Sequence, residues 1–346
     1  MSTPTVARGS MSNRDLPIGV GRASAWVESP LQLLSAVEAH TAGVLGRSTL
    51  VHPRRDSTGM PAALDSLLRR SMPDGLLFTT PTLALPSPRD VGSSCWSVGD
   101  AYSGRVQLEL ARGVAADSVV ILDDGLATLN LLRTITASRP TPLIRPRVRP
   151  TPSRIGLGLA AWRQLRRLAM ANRLTVFTAC PVPPATAQAF RALGGRLISH
   201  RFDWLAEQPV TESVSEPTIV IGSAMPADGL IDAESYLAWI ISIADRSELR
   251  YFPHRRESAQ MLLDLAAHPN INVASHNLPV EMRLRGLQPP QKVVCLPTTA
   301  FVSLKLILGS TGVALEPRTV PEHWWTSDAS AALRSHLGST LCDNQA

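Results

Sequence analysis

Short apolar segments that alternate with helical segments constrain this chain more than any other feature. In the first half, five runs of four to six residues are rich in strand-forming residues: 23–27, 48–51, 75–80, 118–122 and 174–178. Between them, segments such as LQLLSAVEAH and PAALDSLLRR place apolar residues at helical spacing. This alternation predicts a parallel sheet with helices on both faces.

The alternation is interrupted once and then restarts. The interruption is AEQPVTESVSEP at 206–217, a polar and acidic segment that we interpret as a linker. After it come the strand-like runs TIVIG, ELRYF, INVAS and KVVCL. A chain of 346 residues is long enough for two cores. We therefore predict an α/β fold of two doubly wound domains that face each other across a cleft. The predicted segments are a disordered tail 1–22, an N-terminal Rossmann-like domain 23–205, the linker 206–217, and a C-terminal Rossmann-like domain 218–346 that ends in a helical tail.

The basic residues are distributed unevenly. Thirteen arginines, but no aspartate or glutamate, lie between Asp124 and Asp203. Such a band predicts an anionic partner, which is a phospholipid surface, an acidic polymer or a nucleic acid. Nucleic-acid binding requires aromatic residues among the basic ones, and only Trp162 lies near this band. We therefore do not expect a nucleic-acid partner.

Residues 153–172, SRIGLGLAAWRQLRRLAMAN, predict a basic amphipathic helix within this band. Its apolar residues, Ile155 and Leu159 among them, fall largely on one side. Four arginines are candidate contacts for anionic lipid headgroups: Arg154, Arg163, Arg166 and Arg167. The alternative is a helix that packs on its own domain and exposes an arginine face.

The expected location follows from two other patterns. No secretory signal is recognisable near the N-terminus, and the longest apolar stretches are shorter than the roughly 20 residues of a membrane span. The four cysteines show neither zinc-binding nor disulfide spacing. We expect a cytoplasmic protein, peripheral on the inner membrane face if the basic band binds lipid. The sequence does not fix the oligomeric state, and a homodimer is one alternative.

Two adjacent carboxylates end the apolar run 118–122, where Asp123 and Asp124 precede Gly125. Ligands bind beyond the carboxyl ends of strands in open parallel sheets. A partly desolvated carboxylate beside another has a raised pKa, which suits a general base, and Gly125 permits a sharp turn. Adjacent side chains point in different directions, so we expect one acid to enter the cleft. The alternatives are an Asp-Gly turn and a metal-binding pair, which no further clustered ligands in the sequence support.

The segment YFPHRRES places His254 at the tip of a strand. We expect Arg255, Arg256 and Glu257 to open the following helix, whose N-terminus would complete an anion site. A protonated His254 would stabilise a departing phosphate. The alternative is a loop histidine with solvated arginines.

Two further strand ends carry candidate ligand contacts. Thr298 or Thr299 is expected to cap the helix that follows KVVCL, where a hydroxyl and free backbone N–H groups would bind phosphate. Glu281 follows INVAS near a predicted helix start, where its carboxylate would hold ribose hydroxyls. The alternatives are an ordinary helix cap and a favourable first-turn acid.

Several of these segments occur together in one order: VESPLQLLSAVEA, GDAYSG, ILDDGLATLN, IGSAMPADGLIDAESYL, YFPHRRE and LPVE. The set, spanning about residues 23–310, resembles bacterial sialyltransferases of glycosyltransferase family 52 and the related polysialyltransferase group. The resemblance implies a two-domain GT-B fold and an inverting, metal-independent transfer from a CMP-activated nonulosonic sugar, usually sialic acid, without a further cofactor. The acceptors it implies are surface glycans, lipooligosaccharide or capsule.

The resemblance also implies roles for particular residues. The base falls on the acid pair Asp123 and Asp124, with the rival positions Asp228 and Asp232 in the second domain. The donor nucleotide would meet seven residues: Gly222, Ser223, His254, Arg255, Glu281, Thr298 and Thr299. Four of these depart from the family pattern: Ser223 stands where glutamine is usual, Arg255 replaces a proline, and the hydroxyl pair Thr298 and Thr299 is Thr-Thr where serine is more usual.

Overall fold

The computed structural model describes residues 22–123, 125–145, 151–275, 278–331 and 333–334. Its first sheet has seven strands, all paired in parallel, in the order β3-β2-β1-β4-β5-β6-β7. The strands are β1 Arg22–Val27, β2 Ser48–Pro53, β3 Leu76–Phe78, β4 Cys95–Val98, β5 Ser118–Ile121, β6 Leu174–Thr178 and β7 Arg196–Ser199. All five runs predicted in the first half form strands, but the sequence analysis did not predict β4 and β7.

The second sheet has five parallel strands in the order β10-β9-β8-β11-β12. They are β8 Thr218–Ile221, β9 Leu249–Phe252, β10 Ile271–Val273, β11 Lys292–Cys295 and β12 Ala314–Pro317. In each sheet the strand order reverses beside the first strand, between β1 and β4 and between β8 and β11. Such a switch point opens a crevice at the carboxyl ends of the strands. The predicted class of two Rossmann-like domains is confirmed.

Helices connect the strands and cover both faces of the sheets. They are α1 Pro30–Thr41, α2 Met60–Leu68, α3 Gly104–Arg112, α4 Leu126–Thr136, α5 Pro152–Met170, α6 Pro184–Ala192, α7 Asp203–Glu207, α8 Ala233–Ala244, α9 Ala259–Ala266, α10 Val280–Arg283 and α11 Thr299–Leu308. Side-chain oxygens fix several starts by accepting from a backbone N–H of the first turn: those of Ser29, Thr151, Asp232, Ser258 and Thr298. No helix of the described segments is long and apolar enough to cross a bilayer.

Apolar packing joins the two halves of the chain. Met282 on α10 belongs to the same buried cluster as Phe177 and Phe202 of the first half. Leu306 and Ile307 on α11 pack against that cluster. The second half therefore presents α10 and α11 to the carboxyl ends of the first sheet.

The segment that we interpreted as a linker is held by arginines from both halves. Arg283 donates to the Glu212 carboxylate through Nε at 2.7 Å and Nη2 at 2.5 Å. Arg285 Nη2 donates to the carbonyl oxygens of residues 206 and 208 at 2.9 and 2.7 Å. Arg70 Nη1 donates to the carbonyl oxygen of residue 209 at 3.0 Å. These bonds fix the path of the chain between the sheets.

The basic helix forms as α5, with Trp162 among its buried residues. Arg163 and Arg167 are exposed. The expectation that Arg166 faces lipid is corrected, because its Nη1 donates to the carbonyl oxygens of residues 135 and 137 at 2.6 and 3.1 Å, and its guanidinium lies over the Trp162 ring. Arg154 packs at the start of α3, where a Cβ on Gly104 would lie 2.7 Å from its Nη1.

Candidate active site

Gly125 and Thr299 bring the two domains together where β5 and β11 end. Gly125 has a φ of 69° and a ψ of −131°, a conformation that favours glycine. A Cβ at this position would lie 2.0 Å from Thr299 Cγ2. Both the backbone conformation and the neighbouring domain therefore require glycine here.

Asp123 follows β5 at the carboxyl edge of the first sheet and is 4% exposed. Its Oδ1 accepts from the Gly125 N–H at 2.9 Å and from Thr128 Oγ1 at 3.2 Å. Its Oδ2 accepts from the Ala179 N–H at 2.8 Å, which ties the end of β5 to the end of β6. Burial raises the pKa of Asp123 and these bonds oppose the rise. The structure thus makes Asp123 a rigid, inward-facing carboxylate, while Asp124 lies outside the described residues.

Glu281 lies on α10 of the second domain, the helix that packs against the first domain through Met282. It lies in the first turn of α10, as predicted, and its Oε1 accepts from Ser303 Oγ at 2.5 Å. Burial raises the pKa of Glu281, and the charge of Asp123 raises it further. The pKa of the Cys180 thiol is raised by burial and then by the charges of both Asp123 and Glu281. Asp123 and Glu281 are thus two buried carboxyl groups, one in each domain, where α10 packs against the first domain.

Cys180 and Ser303 are site residues that the sequence analysis missed. Cys180 follows the end of β6 by two residues. It could have been found by examining the residues after the predicted strand 174–178, as was done for the other strands. Ser303 lies in the middle of α11 and carried no comparable signal, because only the packing of α10 against α11 brings it to Glu281.

His254 follows the end of β9 at the corresponding edge of the second sheet. Its Nδ1 accepts from the Arg256 N–H at 3.2 Å. A neutral imidazole that accepts at Nδ1 carries its proton on Nε2, so Nε2 is a hydrogen-bond donor. The prediction that residues 255–257 open a helix is wrong: they form a turn, and α9 begins at Ala259 after its Ser258 cap. The physical reason is that Glu257 turns inward and bonds the loop itself.

The neighbouring β8 loop is closely packed. Gly222 has no room for a side chain, since a Cβ would lie 2.6 Å from the His254 nitrogen. Ser223 is buried, its N–H donates to Tyr236 Oη at 3.1 Å and to Glu257 Oε1 at 3.2 Å, and its Oγ accepts from the Met225 N–H. These two residues shape the loop beside His254.

The remaining predicted residues surround this edge. Thr298 caps α11, its Oγ1 accepting from the residue-300 N–H at 3.4 Å. Arg255 is exposed, and Asp228 forms an ion pair with Arg256. Asp232 caps α8 by accepting from the Ser235 N–H at 2.7 Å, and hydrogen bonds from the Ser235 side chain and backbone lower the pKa of Asp232. A capping carboxylate with a lowered pKa is a poor general base, which disfavours Asp232.

Two parallel, doubly wound sheets with facing strand ends define the GT-B type of α/β fold. Among solved structures, the chain is similar to an alpha/beta-galactoside alpha-2,3-sialyltransferase from the luminous marine bacterium Photobacterium phosphoreum. The TM-score is 0.51 and the identity 11%, over 94% of this chain and 98% of the other.

It is also similar to a 2,6-sialyltransferase from Photobacterium sp. JT-ISH-224, solved with CMP and lactose. The TM-score is 0.51 and the identity 12%, over 92% of this chain and 75% of the other. At these identities the likeness shows the fold. No protein-family model and no curated protein matches the chain.

Proposed function

We propose that this protein is an inverting, metal-independent glycosyltransferase. It moves sialic acid or a related nonulosonic sugar from a CMP-sugar to a hydroxyl of a glycan acceptor. The observation that carries the proposal is the close approach of Gly125, two residues after Asp123, to Thr299 of the second domain, whose helix α11 also bonds Glu281 through Ser303. The similarity in fold to two sialyltransferases, one solved with CMP and lactose, supports the same donor.

The reaction is a single displacement at the anomeric carbon. The acceptor hydroxyl attacks that carbon, loses its proton to a carboxylate of the acid pair, and the bond between the carbon and the CMP phosphate oxygen breaks. Because hydrogen bonds already engage both oxygens of Asp123, we assign the proton transfer to Asp124 and the shaping of the turn to Asp123. Asp228 is the rival base, in an ion pair with Arg256.

CMP leaves toward the second domain. The Nε2–H of His254 and the hydroxyls of Thr298 and Thr299 receive the charge on its phosphate. Glu281 holds the ribose hydroxyls. Donors that are already in place stabilise a leaving anion most effectively.

The direct test follows CMP release from CMP-sialic acid. We expect turnover in the unchanged protein and a loss of about 100-fold or more in His254→Ala, because a donor to the leaving group is removed. His268→Ala, which alters a histidine at the end of α9 remote from the strand edge, is the matched control and should keep full activity. Full turnover in His254→Ala would remove the proposed role. Addition of EDTA should leave the rate unchanged.

Two other functions remain as alternatives. A GT-B enzyme with a UDP- or GDP-sugar donor would be stabilised most by the corresponding nucleotide in a thermal-shift series, whereas our proposal predicts the largest shift with CMP or CTP. A non-catalytic protein that binds anionic glycans would bind glycan without binding any nucleotide.

We further propose that the enzyme is cytoplasmic and docks on an anionic membrane near a lipid-linked or anionic acceptor. We define an α3–α5 surface that consists of Leu108, Ile155, Arg163, Arg167 and Met170. Its two arginines are exposed, and its apolar side chains are exposed by 44% at Leu108, 37% at Ile155 and 65% at Met170. Cations beside exposed apolar groups suit an anionic lipid surface.

Liposome sedimentation tests the α3–α5 surface. The double variant Arg163→Gln/Arg167→Gln should lose most of its binding to anionic vesicles, because the charge attraction is removed. Arg196→Gln, which alters an exposed arginine on β7, should bind like the unchanged protein. Equal binding of the unchanged protein to neutral and anionic vesicles would contradict electrostatic docking.

A further inference from the structure

The position of Glu257 in the second domain differs from the predicted one. Instead of opening a helix in solvent, its side chain turns back under the loop that carries His254. Its Oε2 accepts from the His254 N–H at 2.8 Å, and its Oε1 accepts from the Ser223 N–H at 3.2 Å. One carboxylate thus binds the loops that follow the adjacent strands β8 and β9.

Two fully buried tyrosines complete the surroundings of this carboxylate. Tyr251 Oη donates to Glu257 Oε1 at 2.5 Å, and Tyr236 Oη lies 3.1 Å from Tyr251 Oη. Burial raises the pKa of Glu257 to about 7, and the hydrogen bonds oppose the rise. Burying a carboxyl group costs free energy, and an exposed acid in the first turn of a helix would avoid that cost. The buried position of Glu257 therefore indicates a role that offsets the cost of its burial.

The sequence around Glu257 is matched to this arrangement. A Cβ on Gly222 would lie 2.6 Å from the His254 nitrogen and 2.7 Å from Glu257 Oε2. Glycine at 222 therefore lets the two loops approach closely enough for one carboxylate to bind both. The contact also holds the turn in which the Arg256 N–H donates to His254 Nδ1.

We propose that Glu257 is a positioning residue: by bonding both loops it fixes the backbone of His254 so that the Nε2–H of the imidazole is directed at the donor phosphate. This inference rests on the proposed function. Glu257 itself does not touch the reacting atoms. A misplaced leaving-group donor lowers the rate of the chemical step, and a shift of about 1 Å at such a site costs on the order of 100-fold.

Glu257→Gln tests the role, because it keeps the side-chain volume but turns an NH2 group toward one of the two backbone N–H donors. We expect kcat for CMP release to fall by about 10- to 100-fold with little change in the KM for the donor. Tyr251→Phe removes one donor but leaves the bond to His254, so we expect a smaller loss. Glu248→Gln, at an exposed position, is the matched control and should behave like the unchanged protein.

A spectroscopic measurement tests the positioning without requiring turnover. In histidine labelled with 15N, the unchanged protein should show His254 as the Nε2–H tautomer, whereas Glu257→Gln should show a mixture of tautomers. An unchanged kcat with an unchanged tautomer in Glu257→Gln would overturn the proposal, as would an activity loss equal to the loss of folded protein. If the unchanged protein releases no CMP, the proposed function fails, while the tautomer comparison still decides the positioning.

Discussion

Asp123 connects two strand ends through three hydrogen bonds, and two of their donors are backbone N–H groups. Asparagine at this position would direct an amide NH2 at one of those N–H groups. Each buried donor left unpaired costs about 1–3 kcal/mol. We therefore expect Asp123→Asn to lower the free energy of unfolding by about that amount, as measured by urea titration. Asp124→Asn should abolish CMP release because it removes the proposed base, and full CMP release in this variant would contradict the assignment.

Position 125 requires glycine for two reasons, its backbone conformation and its closeness to Thr299. Two variants separate the energetic effects of these two requirements. Gly113 also has a positive φ, 88°, but a Cβ there would meet nothing within 4 Å. Gly113→Ala therefore measures backbone strain alone, about 1–3 kcal/mol. Gly125→Ala adds the clash with Thr299, so we expect a larger loss of unfolding free energy together with loss of CMP release. Equal stability losses in the two variants would show that the domains do not meet at Gly125.

At the scale of elements, α7 is held by a buried acid on α1. Glu38 accepts from the Trp204 N–H at 3.0 Å and from the Leu205 N–H at 2.9 Å, which fixes the start of the segment that leads to the second sheet. Burial raises the pKa of Glu38 to about 7. The folded state therefore retains this proton at a higher pH than the unfolded chain does. The resulting stabilisation is present at low pH and is lost as the pH rises toward 7.

This titration predicts a difference between the unchanged protein and Glu38→Gln. Between pH 5 and pH 8, the unfolding free energy of the unchanged protein should fall relative to the variant by about 3 kcal/mol. Burial lowers the pKa of His52 and His200 to about 4, which makes stability rise with pH between pH 4 and 6.5. Both proteins share that opposite trend, so it cancels in the comparison. A difference that is constant across the pH range would contradict a raised pKa.

The elements that could be predicted from the sequence are those whose own residues determine them. β5 and β8 are continuous apolar runs that are buried on both faces, as parallel strands require. β4 was missed because CWSV lies among polar residues, and β7 because RLIS is a half-exposed edge. The helix predicted at 255–257 does not form, because Glu257 accepts hydrogen bonds from the N–H groups of His254 and Ser223. Ser223 is distant in sequence, so no local pattern predicts this bond.

In the whole molecule, the expectation that ligands bind beyond the carboxyl ends of the strands located the candidate site. It did not predict the hydrogen bonds within that site. Parallel strands share one carboxyl edge, so Asp123, His254, Glu281 and Thr298 could be assigned to two facing edges from sequence. The bond between Ser303 and Glu281 depends on how α11 packs on α10, which no local pattern encodes. The inward orientation of Asp123 depends on the N–H of Ala179, which lies 56 residues further along the chain and which no local pattern encodes.

We propose that the two domains together form one site for a CMP-sugar donor. A crystal structure of the protein soaked with CMP would show this site. We predict that the phosphate lies within hydrogen-bond distance of His254 and of the hydroxyl of Thr298 or Thr299, with the ribose on Glu281. CMP bound away from these residues, or a phosphate with His254 turned away from it, would contradict the account.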